Sequence, residues 1–290
     1  GYGKDFKRPK RHPVMDRDWE FCPTVANLKD KAWKQLGTSG AGNHFAEFGR
    51  LVIKNDSLGI PSGDYIALLT HSGSRGTGAA IAKHYSTLAQ KLCPKLPKQL
   101  KHLAWLAMDS DAGIEYFKAM TLMGDYSAAN HDIIHQAIFN AIGERPLTAV
   151  ENHHNFAFKE KIGHRNVVVH RKGAVPATRG MLGVIPGSMT DPAYIIRGLG
   201  NEDAINSSAH GAGRIMSRTA AFKRFTQKDL KKVLIKNKVT LISAGLDEIP
   251  MAYKRIEQVM SQQKGLVETL AKFEPRLVKM AFAKPRKKYR

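Results

Sequence analysis

The sequence predicts a mixed α+β fold, and three observations carry that expectation. A long run from 113 to 142 repeats apolar residues at helical spacing, with Ile114, Phe117, Met120 and Met123 followed by Ile133, Ile134, Ala137 and Ile138. Several short apolar stretches end instead in glycine-rich or basic turns, as Tyr65–Leu69 does before His71-Ser72-Gly73. The two patterns do not alternate regularly, which argues against a doubly wound sheet or a TIM barrel.

Taken in order, residues 1–35 read as a basic, irregular segment. Lys4, Lys7, Arg8, Lys10 and Arg11 cluster there, and Pro9 and Pro13 oppose a helix. Residues 65–69 read as a buried strand and 79–92 as a helix. The pattern at 113–142 predicts a long helix stopped by Gly143. Strand signals follow at 147–150, at Asn166–His170 before the turn Arg171-Lys172-Gly173, and at 181–185 before Pro186-Gly187-Ser188. Helices are expected at 227–236 and from about 248 to 274. The charge run Lys284–Arg290 within a basic tail, 281–290, reads as solvated. No internal repeat is visible. One compact domain is expected over 36–280, with no linker.

Composition narrows the function classes. The chain has 290 residues, 42% of them hydrophobic, enough for a substantial core. Lys and Arg total 46 against 25 acids, a formal net charge of +21. Such an excess predicts attraction to a polyanion, nucleic acid above all, with a generally basic solubilising surface as the bland alternative. Cys22 and Cys93 make no disulfide framework, so a reducing, cytoplasmic setting is expected. No apolar run approaches the ~20 residues that span a bilayer, and no membrane partner is expected. The start at Gly1 lacks an initiator Met and a signal-peptide profile, so the chain is expected to begin inside a longer gene product.

Four histidines have unusual neighbours. His44 lies in Gly42-Asn43-His44-Phe45, with Glu47 beyond; His71 opens His71-Ser72-Gly73-Ser74-Arg75-Gly76; His154 sits in Asn152-His153-His154-Asn155; His210 opens His210-Gly211-Ala212-Gly213-Arg214. Imidazole ligates borderline metals and can act as a nucleophile. Adjacent glycines let backbone amides approach a phosphate, and an arginine four residues on offers a planar fork to its oxygens. Each motif alone is more often a plain turn; four in one basic chain point to a phosphate-handling site. His131 and His135 stand four apart on the long helix, a ligand spacing, but with no third ligand they read as helix surface or core. Arg171-Lys172 and Lys223-Arg224 could track an RNA backbone or simply face solvent. No RRM, KH or zinc-knuckle signature is present.

These motifs, with His170-Arg171-Lys172-Gly173-Ala174, Pro186-Gly187-Ser188-Met189 and the later Asp247-Glu248, Pro250 and Ala252-Tyr253-Lys254, resemble in order those of the RtcB family of RNA ligases, over about residues 31 to 280. The resemblance implies an α+β architecture of stacked β-sheets with flanking helices around a central metal and nucleotide cleft. It implies joining of RNA 3′-phosphate or 2′,3′-cyclic phosphate ends to 5′-hydroxyl ends, with GTP and two manganese ions. His210 would be the catalytic nucleophile that carries GMP, and His44, His71 and His154 the metal ligands. Asn43, Glu47, Asn155, Pro186, Gly187, Ser188, Met189, Gly211, Gly213, Tyr253 and Lys279 would bind the nucleotide. Arg75, Arg214, Arg218, Arg171 and Lys172 would hold RNA or phosphate.

Two departures stand beside the match. The Gly-rich segment with an Asp and a Cys that completes the family's metal sites has no counterpart before His44, which leaves open an N-terminally truncated piece, a missing part supplied as another polypeptide, or lost activity; an accessory activator is a further partner left open. Thr190-Asp191-Pro192-Ala193 replaces a Gly-Thr sequence after Met189. A degenerate ligase fold kept as an RNA-binding scaffold is therefore a second reading. A histidine-ligated phosphodiesterase, which needs no covalent GMP, is a third.

Overall fold

The computed structural model describes residues 5–93 and 96–281, so the charge run at 284–290 and Lys4 lie outside the described residues. The chain divides into two compact units, Gly1–Gly40 with Ser72–Glu144, and Ala41–His71 with Arg145–Arg290.

The first unit is helical. It contains α1 (Pro23–Ala26), α2 (Lys29–Gln35), α3 (Arg75–Leu92) and α4 (Asp111–Ile142). The long helix is the one the 113–142 pattern predicts. Ser110 starts it by accepting the Gly113 amide, and Gly143, at φ 73°, ends it in the left-handed conformation that costs glycine least. Trp19, Val25, Ala32 and Leu36 pack against Ile81, Tyr85, Leu122 and Tyr126 in one apolar core. The N-terminal segment is therefore not irregular up to residue 35. A 3-10 turn at Pro13–Asp16 and two short helices follow its prolines, and Pro13 and Pro23 sit at the first helical positions, where a missing N–H costs nothing. Its apolar residues, not its lysines, decide its structure.

The second unit is built on sheets: β1 (Phe45–Ile53), β2 (Gly63–His71), β3 (Phe156–Ile162), β4 (Arg165–Arg171), β5 (Ala174–Pro176), β6 (Leu182–Ile185), β7 (Ala193–Gly198), β8 (Ser207–Ala209), β9 (Thr240–Ser243) and β10 (Val267–Met280), with helices α5 (Arg218–Arg224), α6 (Gln227–Lys236) and α7 (Ile256–Ser261). The main sheet runs β2-β1-β10-β7-β6, with β9 parallel to β10; β3 pairs β4, and β5 pairs β8. All pairings but β9–β10 are antiparallel. The α+β class stands.

The strands at 166–170 and 181–185 and the helix at 227–236 fall where the sequence puts them. The long helix expected at 248–274 does not form. Two 3-10 turns and α7 end by Ser261, and 267–280 is the strand at the heart of the sheet. Glu, Leu, Ala and Lys in this stretch favour helix locally, but pairing with β1 on one side and β7 on the other overrides that preference. Pro275 is accommodated where the β1 register shifts, a place in a ladder that tolerates a missing N–H. Residues 147–150, read as a strand, are irregular. Among the described residues no helix is long and apolar enough to cross a membrane.

Candidate functional site

In the second unit, ends of separate strands bring four imidazoles together. His71 closes β2 opposite Phe45, the first residue of β1, and their rings stack at 5.7 Å. His44 immediately precedes β1. Its carbonyl accepts the Ala281 amide at 2.9 Å, and its ring meets His71 edge-on at 5.5 Å. His154 precedes β3 and stacks on the other side of the row, 5.0 Å from His71. His210 follows β8, its ring 5.8 Å from His154. The result is a continuous row: His44, His71, His154, His210. Asn43 Nδ2 lies 3.4 Å from His71 Nε2. Asn155, beside His154, holds φ 57°, an uncommon conformation outside glycine that asparagine tolerates.

His210 is set by the β5–β8 pair. Its amide donates to the Gly173 carbonyl at 3.4 Å. Gly173 has φ 74°, so a side chain there is disfavoured by backbone conformation, although 3.9 Å of room remains before the His210 ring. Burial holds the His210 pKa below the ordinary imidazole value; a hydrogen bond to the Gly173 backbone opposes this, and the charge of Lys172 adds to it. The neutral ring is thus favoured, and neutral imidazole is the nucleophilic form.

Glu47 shares the face of β1 with Phe45, because side chains alternate along a strand. It is buried, and burial pushes its carboxyl well above the usual range. Lys279 pairs with Ala46, so the register sets it on the face opposite Glu47, and burial lowers its pKa. The two expected nucleotide contacts therefore do not share one face of the sheet.

A second polar cluster surrounds Asp247 and Glu248, each 1% exposed. Arg218 donates to Asp247 Oδ2 and pairs with Glu248 Oε1, both at 2.9 Å. Arg214 donates to the Asp247 carbonyl at 2.6 Å and to the Tyr253 hydroxyl at 3.1 Å, and its guanidinium lies 5.0 Å from the Tyr253 ring centre. Tyr253 donates its hydroxyl to Glu248. Burial raises the Glu248 pKa, against the opposing pull of Tyr253 and the two arginines. A side chain on Gly42 would come within 3.6 Å of Arg218 Nη2, which places that guanidinium beside the Gly42-Asn43-His44 turn.

Other expected contacts are committed elsewhere. Arg171, expected on RNA, is buried. Its guanidinium donates to Glu160 Oε2 at 2.9 Å, Ser207 Oγ at 2.8 Å and the Ile205 carbonyl at 3.0 Å, and so ties β4 to β3 and β8. A buried, fully engaged arginine is an internal tie, while its neighbour Lys172 is exposed. Arg75 belongs to the first unit, where it donates to Thr38 Oγ1 at 2.9 Å; burial lowers its pKa. Met189 is buried in the apolar cluster of Ala221, Leu230 and Val278. Ser188 donates to Asp191 at 2.7 Å, so the departure at Asp191 engages a hydroxyl expected on the nucleotide. The Pro186 carbonyl accepts the Ala212 amide at 3.0 Å, joining the Pro186-Gly187 turn to Gly211, and the Gly213 carbonyl accepts the Lys254 amide.

Two features escaped the sequence reading. Phe45 has no role legible in the sequence; its stack on His71 follows from the β1–β2 register, and the mixed residues of Phe45–Ile53 give no clear alternation. The acid pair Asp247-Glu248 was treated only as a motif. Two adjacent acids flanked by Leu246 and Ile249 are a pattern for buried, arginine-bound carboxylates.

The ring row offers the donor chemistry for a borderline divalent cation: three half-buried imidazoles from separate segments, with Asn43 against the middle one. Among the described residues no three His, Cys, Asp or Glu groups close a ligand cage by themselves.

The comparisons with known proteins follow the same residues. The chain is 36% identical over 256 residues to the RNA-splicing ligase RtcB of Escherichia coli K12, covering 84% of this chain and 60% of that protein. It is 33% identical over 324 aligned residues to the tRNA-splicing ligase RtcB of Methanococcus maripaludis, covering 95% and 65%. A tRNA-splicing ligase RtcB of Thermococcus kodakarensis is 29% identical, covering 85% and 60%. The chain thus spans less than two thirds of the length of these relatives. The family described as tRNA-splicing ligase RtcB matches residues 16–280, a span that contains the whole histidine row, and the chain belongs to that family.

Proposed function

We propose that this chain is the nucleotide-binding, nucleophile-bearing part of an RNA ligase that joins 3′-phosphate or 2′,3′-cyclic phosphate ends to 5′-hydroxyl ends. The observation that carries the reading is the row His44–His71–His154–His210, drawn from four separate strand ends.

His210 attacks the α-phosphorus of GTP. A phosphorus–nitrogen bond forms, the bond to the β-phosphate oxygen breaks, and pyrophosphate leaves. The neutral His210 ring, favoured by burial, offers a nitrogen lone pair for the attack. The RNA 3′-phosphate then displaces His210 and takes GMP. The 5′-hydroxyl attacks that phosphate, and GMP departs as the leaving group. His44, His71 and His154 would hold manganese, which supplies charge compensation at phosphate oxygens when bound. Glu47, biased by burial toward its protonated form, can donate a hydrogen bond to guanine, and Tyr253 offers a ring to stack. Arg218, held beside Gly42 by the buried acids, faces phosphate oxygens. An RNA bearing such broken or spliced ends, tRNA included, is the partner.

The Ser188–Asp191 bond favours a second reading, a scaffold that keeps the fold and binds RNA without transferring GMP. Radiolabelled GTP separates the two. With manganese and the full chain, label is expected to survive denaturation on wild type and to vanish in His210→Ala. Label persisting on His210→Ala sinks the assigned nucleophile, and tight RNA binding with no label on wild type establishes the scaffold.

A further inference from the structure

The first unit carries a surface that this chemistry does not use. From Ser72 to Met108 the sequence has no Asp or Glu, while Arg75, Lys83, Lys91, Lys95, Lys98 and Lys101 all fall there. The segment after α3 ends in a 3-10 helix, Lys98–Leu103, none of whose residues is buried. In that geometry residues three apart eclipse one another. Lys98 and Lys101 therefore share one edge, and Leu100 and Leu103 share another. Pro97 and Ala104, on either side, are extended, at ψ 144° and 145°. Just beyond stands Trp105, 55% exposed, whereas Trp19 in the same unit is 0% exposed. An open indole on an acid-free, lysine-bearing segment is costly to leave in water and offers a stacking platform four residues along the chain from Lys101.

We propose that the segment from Lys98 to Trp105 is a docking surface for single-stranded RNA, on which a base stacks on Trp105 while Lys98 and Lys101 meet the flanking phosphates. The choice of RNA among polyanions rests on the ligase reading; the shape of the surface supports it independently. A base plane matches an exposed indole, and stacking tolerates any sequence. A bilayer surface is a poorer occupant. A six-residue 3-10 helix flanked by extended backbone presents no long amphipathic face to bury among lipids.

The test uses the full chain without GTP or metal and a fluorescein-labelled oligouridylate of about 12 nucleotides, within the usual site sizes. Trp105→Ala is expected to weaken binding about tenfold, and Trp105→Phe, which keeps a stacking face, to restore most of it. Lys98→Ala with Lys101→Ala is expected to lower the slope of log affinity against log salt by about 1.4, two single-strand phosphate contacts at about 0.7 each. Affinity for Trp105→Ala within about twofold of wild type, or an unchanged salt slope in the lysine variant, overturns the proposal. So does Trp105-dependent sedimentation with phosphatidylserine vesicles while RNA affinity stays constant. Guanylylation of His210 is expected to be the same in Trp105→Ala as in wild type. Its absence from both, with the RNA results intact, refutes the ligase reading alone.

Discussion

The histidines of the two units have different settings. In the helical unit His131 and His135 come from one turn of α4, with ring centres 5.8 Å apart, and His131 Nε2 accepts the Ser72 amide at 3.2 Å. Beside them Asn130, fully buried, accepts the Gly37 amide and donates to Thr38 and Ser72. There, polar side chains on a helix fasten the turns that pack on it. In the sheet unit His44, His71, His154 and His210 come from four distant segments, and their rings meet only because strand ends coincide. Ligand-type residues that are close in sequence arise readily from helix periodicity. Convergence of distant ones requires the fold, and it is the better sign of chemistry.

The largest effect expected from that contrast is on metal uptake. His71→Ala removes the middle ring and is expected to lower manganese affinity by more than about 100-fold, while His135→Ala, one turn further along α4, leaves it unchanged. Isothermal titration calorimetry on both variants measures this. Equal losses would erase the distinction between the two histidine groups.

Next in size are the buried polar ties, which test whether both units depend on them for stability. Arg171→Ala leaves Glu160 without its partner and is expected to cost about 3–5 kcal/mol. Asn130→Ala removes three hydrogen bonds from a fully buried position and is expected to cost about 1–3 kcal/mol. Urea unfolding ranks the two, and an Arg171→Ala protein as stable as wild type would return that side chain to the RNA-contact list.

Legibility followed the same division. α4, α6, β4 and β6 were readable because their apolar spacing and stop signals are local, Gly143 being the clearest. The candidate ring row was readable only because four motifs share one chemistry; nothing local says that residues 44 and 210 meet. β10 was misread because its composition favours helix and its strand state is imposed by β1 and β7, neighbours more than 200 and about 70 residues away in the chain. The burial of Arg171 was not legible because a basic turn looks the same in sequence whether its guanidinium faces solvent or Glu160. The commitment of Ser188 to Asp191 was invisible for the same reason: only the folded turn brings those oxygens together.

Glu47 sharpens the comparison through pH. Its folded-state pKa is raised by burial, so its contribution to stability is fully present below the unfolded value and is lost as pH rises through the folded one. Glu47→Gln keeps the shape without the charge. Its melting temperature relative to wild type is expected to rise across the pH range above the ordinary carboxylate value of about 4.3. A difference that stays flat across that range would mean that Glu47 is ionised in the fold, and the proposed donor to guanine would be lost with it.

The smallest effects expected are at helix starts, where the two units obey the same rule. Ser110 caps α4 through the Gly113 amide, and Thr226 caps α6 in a reciprocal box with Asp229. Either residue changed to Ala is expected to cost about 1 kcal/mol. Neither residue is a member of the ring row, so guanylylation should be unaltered in both once the proteins are compared well below their melting temperatures. A cap variant that kept its fold but lost labelling would show that the chemistry is coupled to helix ends the geometry keeps out of it. Equal and purely thermal effects would leave the difference between the units where the side chains place it, in which distant groups each unit brings together.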